Sequence, residues 1–345
     1  WVDALAADGM RFTDMHAPSA LCTPSRYAML TGRYCWRTRL KERVLFNYEP
    51  PLIEADRPTL ASLLKTHGYR TACIGKWHLG LGYSEKPGQR FELFDHPYPW
   101  PSPPPSPEEE RKIDFTVPLT GGPCDLGFDT FFGTSGCATA QPPYGFIEQD
   151  RFIEPPSVRH GEGVPGARDG MMSPSWCHAE ADPTFLDRAV DWLEDAGRGT
   201  EPFFLYLSAS APHEPCLPET VPELARGKSN AGARGDLVWY FDHMVGQVMQ
   251  SLDRSGQADN TLVIVTSDHG ALAGSECKTY GHKPNGDWRG YKGGIWEGGH
   301  REPLIARWPG TIQPGSRCDA LVGLNDLMAT FADITGDDPT DGDAA

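Results

Sequence analysis

The chain has 345 residues, of which 39% are hydrophobic, so it is long enough for one large α/β domain or two smaller domains with a sizeable core. Its formal net charge is −16, which argues against general nucleic-acid binding because such binding needs a basic face. No apolar run reaches the roughly 18 residues of a membrane helix, so we expect no membrane span.

The first part of the sequence predicts three helices and a buried strand. The opening "WVDALAADGMRFTD" is typical of a helix, a glycine stop and an extended segment. "TPSRYAMLTG" predicts the start of a second helix, with Pro24 in its first turn. "PTLASLLKTHG" predicts a helix capped by Thr59 and ended by Gly68, and "YRTACIG" predicts the strand.

The second part continues the alternation of helices and strands. "DPTFLDRAVDWLEDAG" predicts a helix with Asp182 as its cap and Pro183 at its first position. "PFFLYLSAS" predicts a strand, and a helix over about 236–254 follows. "TLVIVTS" and "PLIARW" predict further strands, and "NDLMATFADITG" a closing helix. Apolar strands that alternate with helices predict an α/β fold with a mostly parallel central sheet and helices on both faces.

Polar side chains follow three of these predicted strands. Lys76 and His78 follow the first, His213 follows the second, and Asp268 and His269 follow the third. Ligands in open α/β sheets bind beyond the carboxyl ends of the strands. Any one of these residues is most simply a satisfied polar group, but three strand ends in succession indicate a functional site. An aspartate favours Ca²⁺ or Mg²⁺, and the adjacent histidine leaves zinc or manganese open.

Cys22 stands at the predicted start of the second helix, one turn before Arg26. Free backbone N–H groups at a helix start favour an anion, and an arginine can bind an oxyanion with two parallel hydrogen bonds. The alternative interpretation is a buried structural cysteine. The chain has nine cysteines without a CxxC pair, which argues against a zinc ribbon or a thioredoxin motif. The pairing of the other eight stays open.

Three motifs together resemble a known family. "CTPSRYAMLTGR" matches the sulfatase signature C-x-P-S-R-x-x-x-L-T-G-R, "GKWHLG" resembles the second motif of that family, and "KGGIWEGGHREP" resembles its late lysine motif. The order of the motifs is also that of the family. The sequence therefore resembles the type I, formylglycine-dependent sulfatases of the alkaline-phosphatase superfamily, which are sulfuric ester hydrolases.

The resemblance implies a catalytic role for several of these residues. Cys22 would be oxidised to formylglycine, whose hydrate is the nucleophile and a metal ligand, and Arg26 would steady the diol. Lys76 and Lys292 would hold the sulfate oxygens. His78 would be the base that collapses the sulfo-enzyme intermediate.

The resemblance also implies an acid and a metal site. His213 would protonate the departing alcohol. Asp268 would bind the metal, usually Ca²⁺ in this family, with Mg²⁺ or another divalent ion as alternatives. His269 stands where the family commonly has Asn or Gln, and we expect it to be a ligand.

The expected substrate is a sulfated sugar or polysaccharide. The segment "GHKPNGDWRG" precedes Lys292 and supplies His282 and Asn285 as candidate substrate contacts. Tyr98 and Trp100, in a proline-rich loop over 94–107, could stack on a sugar ring. The alternative for each is an ordinary residue of a surface loop.

We expect a single large domain over 1–345 that lacks the family's first metal-binding strand, with its pair of aspartates, and its small C-terminal subdomain. The expected partners are a sulfated substrate and the enzyme that generates formylglycine, and the full-length protein is expected to be exported. Two alternatives stay open: a phosphonate monoester or phosphodiester hydrolase of the same superfamily, and a catalytically inactive sulfatase-like binding protein.

Overall fold

The computed structural model describes residues 1–46, 48–91, 105–161 and 163–337, with only the backbone described at positions 275 and 276. Tyr98 and Trp100, and the predicted proline-rich loop up to position 104, lie outside the described residues. Their predicted contacts with a sugar ring stay predictions.

The described residues form nine α-helices and fifteen strands. The helices are α1 (Val2–Asp8), α2 (Cys22–Thr31), α3 (Leu60–Thr66), α4 (Pro107–Glu110), α5 (Ala181–Ala196), α6 (Gly232–Arg254), α7 (Ser275–Tyr280), α8 (Glu297–His300) and α9 (Asp326–Thr335). The strands are β1 (Met10–Phe12), β2 (Met15–His16), β3 (Arg70–Lys76), β4 (Ser84–Glu85), β5 (Ile113–Asp114), β6 (Thr130–Thr134), β7 (Ile147–Glu148), β8 (Arg151–Phe152), β9 (Val158–Arg159), β10 (Met171–Met172), β11 (Phe203–Ser208), β12 (Val263–Thr266), β13 (Leu304–Arg307), β14 (Ser316–Cys318) and β15 (Val322–Gly323).

The longer strands divide between two sheets. One sheet has the order β11-β3-β6-β7-β8, and its first three strands are parallel. The other has the order β12-β13-β1-β14, in which β13 runs antiparallel to both of its neighbours. The predicted α/β class is confirmed. The sequence did not predict that β12 belongs to the second sheet, where its described partner is the antiparallel β13.

Side chains alternate between the two faces of β3, and a helix covers each face. Cys73 packs in one hydrophobic cluster with Leu60 of α3, whereas Ala72 and Ile74 pack in another with Phe185 of α5. All five side chains are at most 2% exposed. Helices therefore lie on both faces of the parallel strands, as the apolar character of "YRTACIG" predicted.

Helix α3 begins after Thr59 and ends before Gly68, as the sequence predicted, because local contacts fix both ends. The Thr59 side chain accepts a hydrogen bond from Ser62 N at 3.1 Å, and the Ser62 hydroxyl accepts one from Thr59 N at 2.8 Å. This reciprocal pair satisfies two free N–H groups of the first turn. Gly68, just past the helix, has φ +76°, a backbone conformation that favours glycine.

Asp182 is not the cap of α5, so that prediction was wrong. The helix begins at Ala181, and the Asp182 carboxylate accepts hydrogen bonds from Ser210 N at 2.7 Å and Ala211 N at 2.9 Å. Asp182 therefore fixes the turn that follows β11, which carries His213. An aspartate at the start of a helix looks the same in the sequence whether it caps that helix or binds backbone N–H groups elsewhere in the fold.

Two findings concern the chain as a whole. None of the nine cysteines, all of which are described, forms a disulfide. Within the described ranges, no helix combines the length and apolar character needed to span a membrane.

We expect Asp182→Ala to lower the free energy of unfolding by about 2–4 kcal/mol, because two buried backbone donors would lose their acceptor. Asp182→Asn keeps an acceptor oxygen and should lose less. Asp187→Ala, on the exposed face of the same helix, is the matched control and should change little. Urea unfolding followed by circular dichroism measures all three, and equal stability of Asp182→Ala and Asp187→Ala would contradict the assignment.

Candidate active site

The strand ends that carry the predicted polar residues meet at Arg26. Its Nη1 donates to the Lys76 carbonyl oxygen at 3.1 Å at the end of β3, and to the Ser208 hydroxyl at the end of β11. Its Nε donates to Asp268 Oδ2 at 2.9 Å, two residues past β12, and Nη2 lies 2.9 Å from the same oxygen. Arg26 therefore joins the two sheets at one edge, and it brings the three strand ends together.

The sulfur atom of Cys22 is at the centre of this edge. Cys22 is the first residue of α2 and is 2% exposed. Its Sγ lies 2.9 Å from His269 Nε2. A hydrogen bond from Cys137, together with the charges of Lys76 and His269, outweighs burial and holds the pKa of Cys22 well below its usual range.

The positive charge is favoured at two further side chains, the buried Lys76 and the half-buried His213. Burial opposes their charge, but the sulfur atoms of Cys137 and Cys22 outweigh it and raise the pKa of Lys76. The same two cysteines raise the pKa of His213 to about 10. His213 Nδ1 lies 2.5 Å from the Glu214 carbonyl oxygen, which leaves Nε2 for the sulfur atoms. The site therefore concentrates positive charge around residue 22 in a chain that is strongly acidic overall.

His78 has a fixed orientation. Its backbone is left-handed, with φ +61°, which is uncommon for a residue other than glycine. Nε2 lies 2.9 Å from the Leu45 carbonyl oxygen and donates to it, so Nδ1 is the acceptor, 3.7 Å from Cys137 Sγ. The ligand atoms of Cys22, His78 and Cys137 all lie within 4.8 Å of one another. His78 therefore presents one ring nitrogen toward the sulfur atoms of Cys22 and Cys137.

Lys292 reaches the site from the long segment between β12 and β13. Its Nζ donates to Glu214 Oε1 at 3.0 Å, and its side chain is only 13% exposed. Although burial opposes ionisation of Glu214, the charges of His213 and Lys292 lower the pKa of Glu214 to about 2. Glu214 therefore lies between His213 and Lys292 and holds them beside each other. Its single negative charge does not cancel both positive charges, so this side of the site stays positive.

Asp268, His269 and Cys22 form a group that can hold a divalent cation, since their ligand atoms lie within 4.8 Å of one another. His269 Nε2 is 3.4 Å from Asp268 Oδ1. Glu302 lies close by, and its Oε1 is buried without a partner among the described residues. Carboxylate and imidazole groups suit a divalent cation. Ca²⁺ prefers about six to eight oxygen ligands, which is more than these residues offer.

The two candidate substrate contacts before Lys292 differ in their surroundings. His282 is exposed on the loop after α7. Asn285 is engaged inside its own segment, since Oδ1 accepts from Ala271 N at 3.0 Å and Nδ2 donates to the Gly290 carbonyl oxygen at 3.1 Å. Lys292 N donates to the Ala271 carbonyl oxygen at 3.0 Å, so Asn285 braces the segment that presents Lys292.

Sequence reasoning missed Cys137, Glu214 and Glu302. Cys137 follows β6 by the same strand-end rule that located Lys76, but the glycines around "TFFGTSG" obscured that strand. Glu214 adjoins His213 in "PHEP" and had no signal of its own. Glu302 could have been noticed as an acidic residue two positions before the apolar strand β13.

Comparisons with known proteins all point to the same family. Residues 2–337 match the family described as Sulfatase. The chain is 32% identical to N-acetylgalactosamine-6-O-sulfatase of Bacteroides thetaiotaomicron, which covers 96% of this chain and 66% of that protein. It is also 32% identical to human arylsulfatase A, in an alignment that covers 97% of this chain and 59% of that protein. The chain thus spans slightly less than two thirds of the length of these relatives.

A solved structure agrees with the family. It is a Bacteroides thetaiotaomicron sulfatase whose description concerns the metabolism of multiple glycosaminoglycans. The two folds superpose with a TM-score of 0.81 at 27% sequence identity, over 99% of this chain and 74% of that one.

We expect Asp268→Ala to lower the free energy of unfolding by about 3–5 kcal/mol, because it leaves the buried Arg26 charge without its counterion. Asp268→Asn retains an acceptor oxygen and should lose less. The matched control is Asp287→Ala, which removes a carboxylate that is 94% exposed and paired with Lys283. Chemical unfolding measures each variant, and a stability of Asp268→Ala equal to that of the control would show that Arg26 does not need this carboxylate.

Proposed function

The chain belongs to the sulfatase family, and we propose that it hydrolyses sulfate monoesters through a formylglycine formed from Cys22. The observation that carries the proposal is the convergence of Lys76, His213 and Lys292 on a buried residue 22 at a helix start. Three cationic side chains around one position suit a sulfate group, whose charge they would neutralise as the ester bond breaks. The motif around Cys22 supports its conversion by a formylglycine-generating enzyme.

The proposed reaction has two stages. The cysteine sulfur stands in for one of the two hydroxyl oxygens of the formylglycine hydrate, both of which the β-carbon of residue 22 would carry. One hydroxyl gives its proton to the Asp268 carboxylate, which later releases it to solvent, and its oxygen attacks the sulfate sulfur. The bond from sulfur to the alcohol oxygen breaks, and His213 protonates that oxygen. The second hydroxyl then gives its proton to His78 Nδ1, the bond from residue 22 to the sulfate oxygen breaks, and the aldehyde re-forms. Water adds to the aldehyde and restores the hydrate.

The remaining residues position these groups. Lys76 and Lys292 bind the sulfate oxygens, while Glu214 sets the distance between Lys292 and His213. Arg26 acts mainly through Asp268, because its hydrogen bonds go to that carboxylate and to the ends of β3 and β11.

Asp268 and His269, with residue 22, would hold a divalent cation, for which Ca²⁺ is proposed on the family resemblance. Such an ion polarises the bound oxygen atoms and offsets their charge. The described ligands are too few for Ca²⁺, so we propose that a strand outside 1–345 supplies more carboxylates. Every residue of β12 is half-buried, and so are all residues of β11 except the last. Strands of this apolar character are normally buried, so their partial exposure supports the proposal of a further strand beside them.

A sulfated sugar or polysaccharide is the proposed substrate class. The relative named as an N-acetylgalactosamine-6-O-sulfatase, at 32% identity, supports it. The exposed position of His282 is compatible with a contact to a sugar outside the sulfate pocket, whereas Asn285 serves the loop. Export of the full-length protein is proposed on the resemblance alone.

We expect residue 22 to be formylglycine after co-expression of the full-length protein with a formylglycine-generating enzyme. Mass spectrometry of the peptide that contains Pro24 detects the conversion, and Cys22→Ala should release no sulfate. The same preparation should cleave a sulfate monoester faster than a phosphate diester. Full sulfatase activity with an unmodified cysteine would sink this mechanism, and a preference for the diester would favour the phosphodiesterase alternative.

We expect His213→Ala to impair hydrolysis of a sugar sulfate by about 10²–10⁴-fold, and hydrolysis of nitrophenyl sulfate much less. A sugar alkoxide needs a proton as it leaves, whereas nitrophenolate needs almost none. The measurement is the ratio of kcat/KM for the two substrates in wild type and variant. A folding defect lowers both values equally, so an unchanged ratio removes His213 from the role of acid.

A further inference from the structure

A second cluster of metal-ligating side chains lies outside the machinery described above. It consists of His16 in β2 and of Glu297 and His300 in α8. One ligand atom from each residue lies within 4.8 Å of the other two. The proposed sulfatase reaction uses none of them.

The hydrogen bonds of the two imidazoles fix their tautomers. His16 Nε2 lies 3.0 Å from Asp14 Oδ1, and His300 Nε2 lies 3.3 Å from the Ile295 carbonyl oxygen. Both oxygens can only accept, so both Nε2 atoms carry the hydrogen. Each Nδ1 is then an acceptor, and the two Nδ1 atoms face each other at 2.9 Å. Two lone pairs at that distance repel unless a proton or a metal ion lies between them.

The surroundings suit a metal ion. A carboxylate that accepts from the far nitrogen of an imidazole is the usual support of a histidine ligand, and Asp14 has that place. Two nitrogens around a zinc ion, at about 2.0–2.1 Å each, are about 3.3 Å apart in tetrahedral geometry, so the pair needs to open only slightly.

The charge and exposure of the cluster fit as well. Arg301 lies 2.8 Å from Asp14 Oδ1 and 2.7 Å from Glu297 Oε2, so one cation is shared by two carboxylates. The cluster retains an excess negative charge that a divalent cation would offset. The side chains of His16 and Glu297 are 20% and 38% exposed, so an ion can enter from solvent.

We propose that His16, Glu297 and His300 bind a divalent transition metal ion of the zinc class, with Asp14 as the residue that orients His16. Two imidazoles and one carboxylate favour zinc-like ions over Ca²⁺ or Mg²⁺, which prefer oxygen ligands. This proposal does not rest on the proposed sulfatase activity.

The ion would connect the two segments that carry Cys22 and Lys292. Ala17 N donates to the His300 carbonyl oxygen at 2.7 Å, and Gly293 N donates to the Ala20 carbonyl oxygen at 2.9 Å. These segments also line an open cavity of about 380 Å³, with His300 in its wall. A metal between β2 and α8 would therefore fix one side of this cavity.

Cobalt binding tests the proposal. The parent protein is the Cys22→Ser, His269→Asn double variant, which removes two ligands of the active-site group and keeps the Arg26–Asp268 ion pair. After treatment with chelator, it is titrated with Co²⁺ and followed by calorimetry and visible absorption. We expect one equivalent to bind with the absorption bands of a nitrogen and oxygen site. His16→Asn or His300→Asn in this parent should weaken binding more than about 100-fold, and Asp14→Asn about 10–100-fold.

His67→Asn is the matched control, because His67 is also a partly exposed histidine paired with a carboxylate, Asp337. It should leave the affinity unchanged, and circular dichroism of the metal-free variants shows which are folded. If a histidine variant does not fold, Glu297→Gln must still weaken binding. The proposal is overturned if the parent binds no Co²⁺, in which case the two imidazoles share a proton, or if the folded ligand variants bind as the parent does.

Discussion

The buried guanidinium of Arg26 holds the active-site ends of both sheets together. It donates to the end of β3, to the end of β11 and to Asp268 beyond β12, and it is only 6% exposed. A planar group with five donors can serve three strand ends at once, which a lysine could not do. The charge of Arg26 requires a counterion inside the protein, and Asp268 supplies it. Asp268 therefore stabilises the fold and is also a candidate metal ligand. The geometry around Cys22 follows from this one contact.

The site contains more positive charge than a protein interior accepts without anions. The sulfur atoms of Cys22 and Cys137 raise the pKa values of Lys76, His213 and Lys292, and Glu214 adds to the rise for Lys292. The proposed conversion of residue 22 to formylglycine would remove the thiolate of Cys22. The remaining excess of positive charge would then favour an anionic ligand, and sulfate would offer the charge that the pocket lacks. A chain of net charge −16 can therefore attract an anion locally.

Much of the fold and of the site could be predicted from local signals. Thr59 caps α3 because its partner Ser62 is three residues away. Lys76 ends the buried strand β3, and His213 and Asp268 follow strands that are rich in apolar residues. The failures involve contacts across the chain. Asp182 resembles a cap but binds the backbone after β11, and Cys137 was passed over because glycines interrupt the strand before it. The pairing of β12 with β13 is a tertiary choice that no local pattern contains.

The segment between β12 and β13 shows how the lysine of the proposed active site can be held precisely by irregular structure. Lys292 is not in a helix or a strand, and its position depends on separate cross-links. Asn285 closes the loop onto Ala271, the Lys292 backbone returns to the same residue, and Gly293 joins the chain just before Cys22. Each link is weak alone, but together they give Lys292 and Cys22 a common frame. A distortion anywhere in this segment would therefore move both groups relative to Glu214, so the loop is as important to the geometry of the proposed site as the strands.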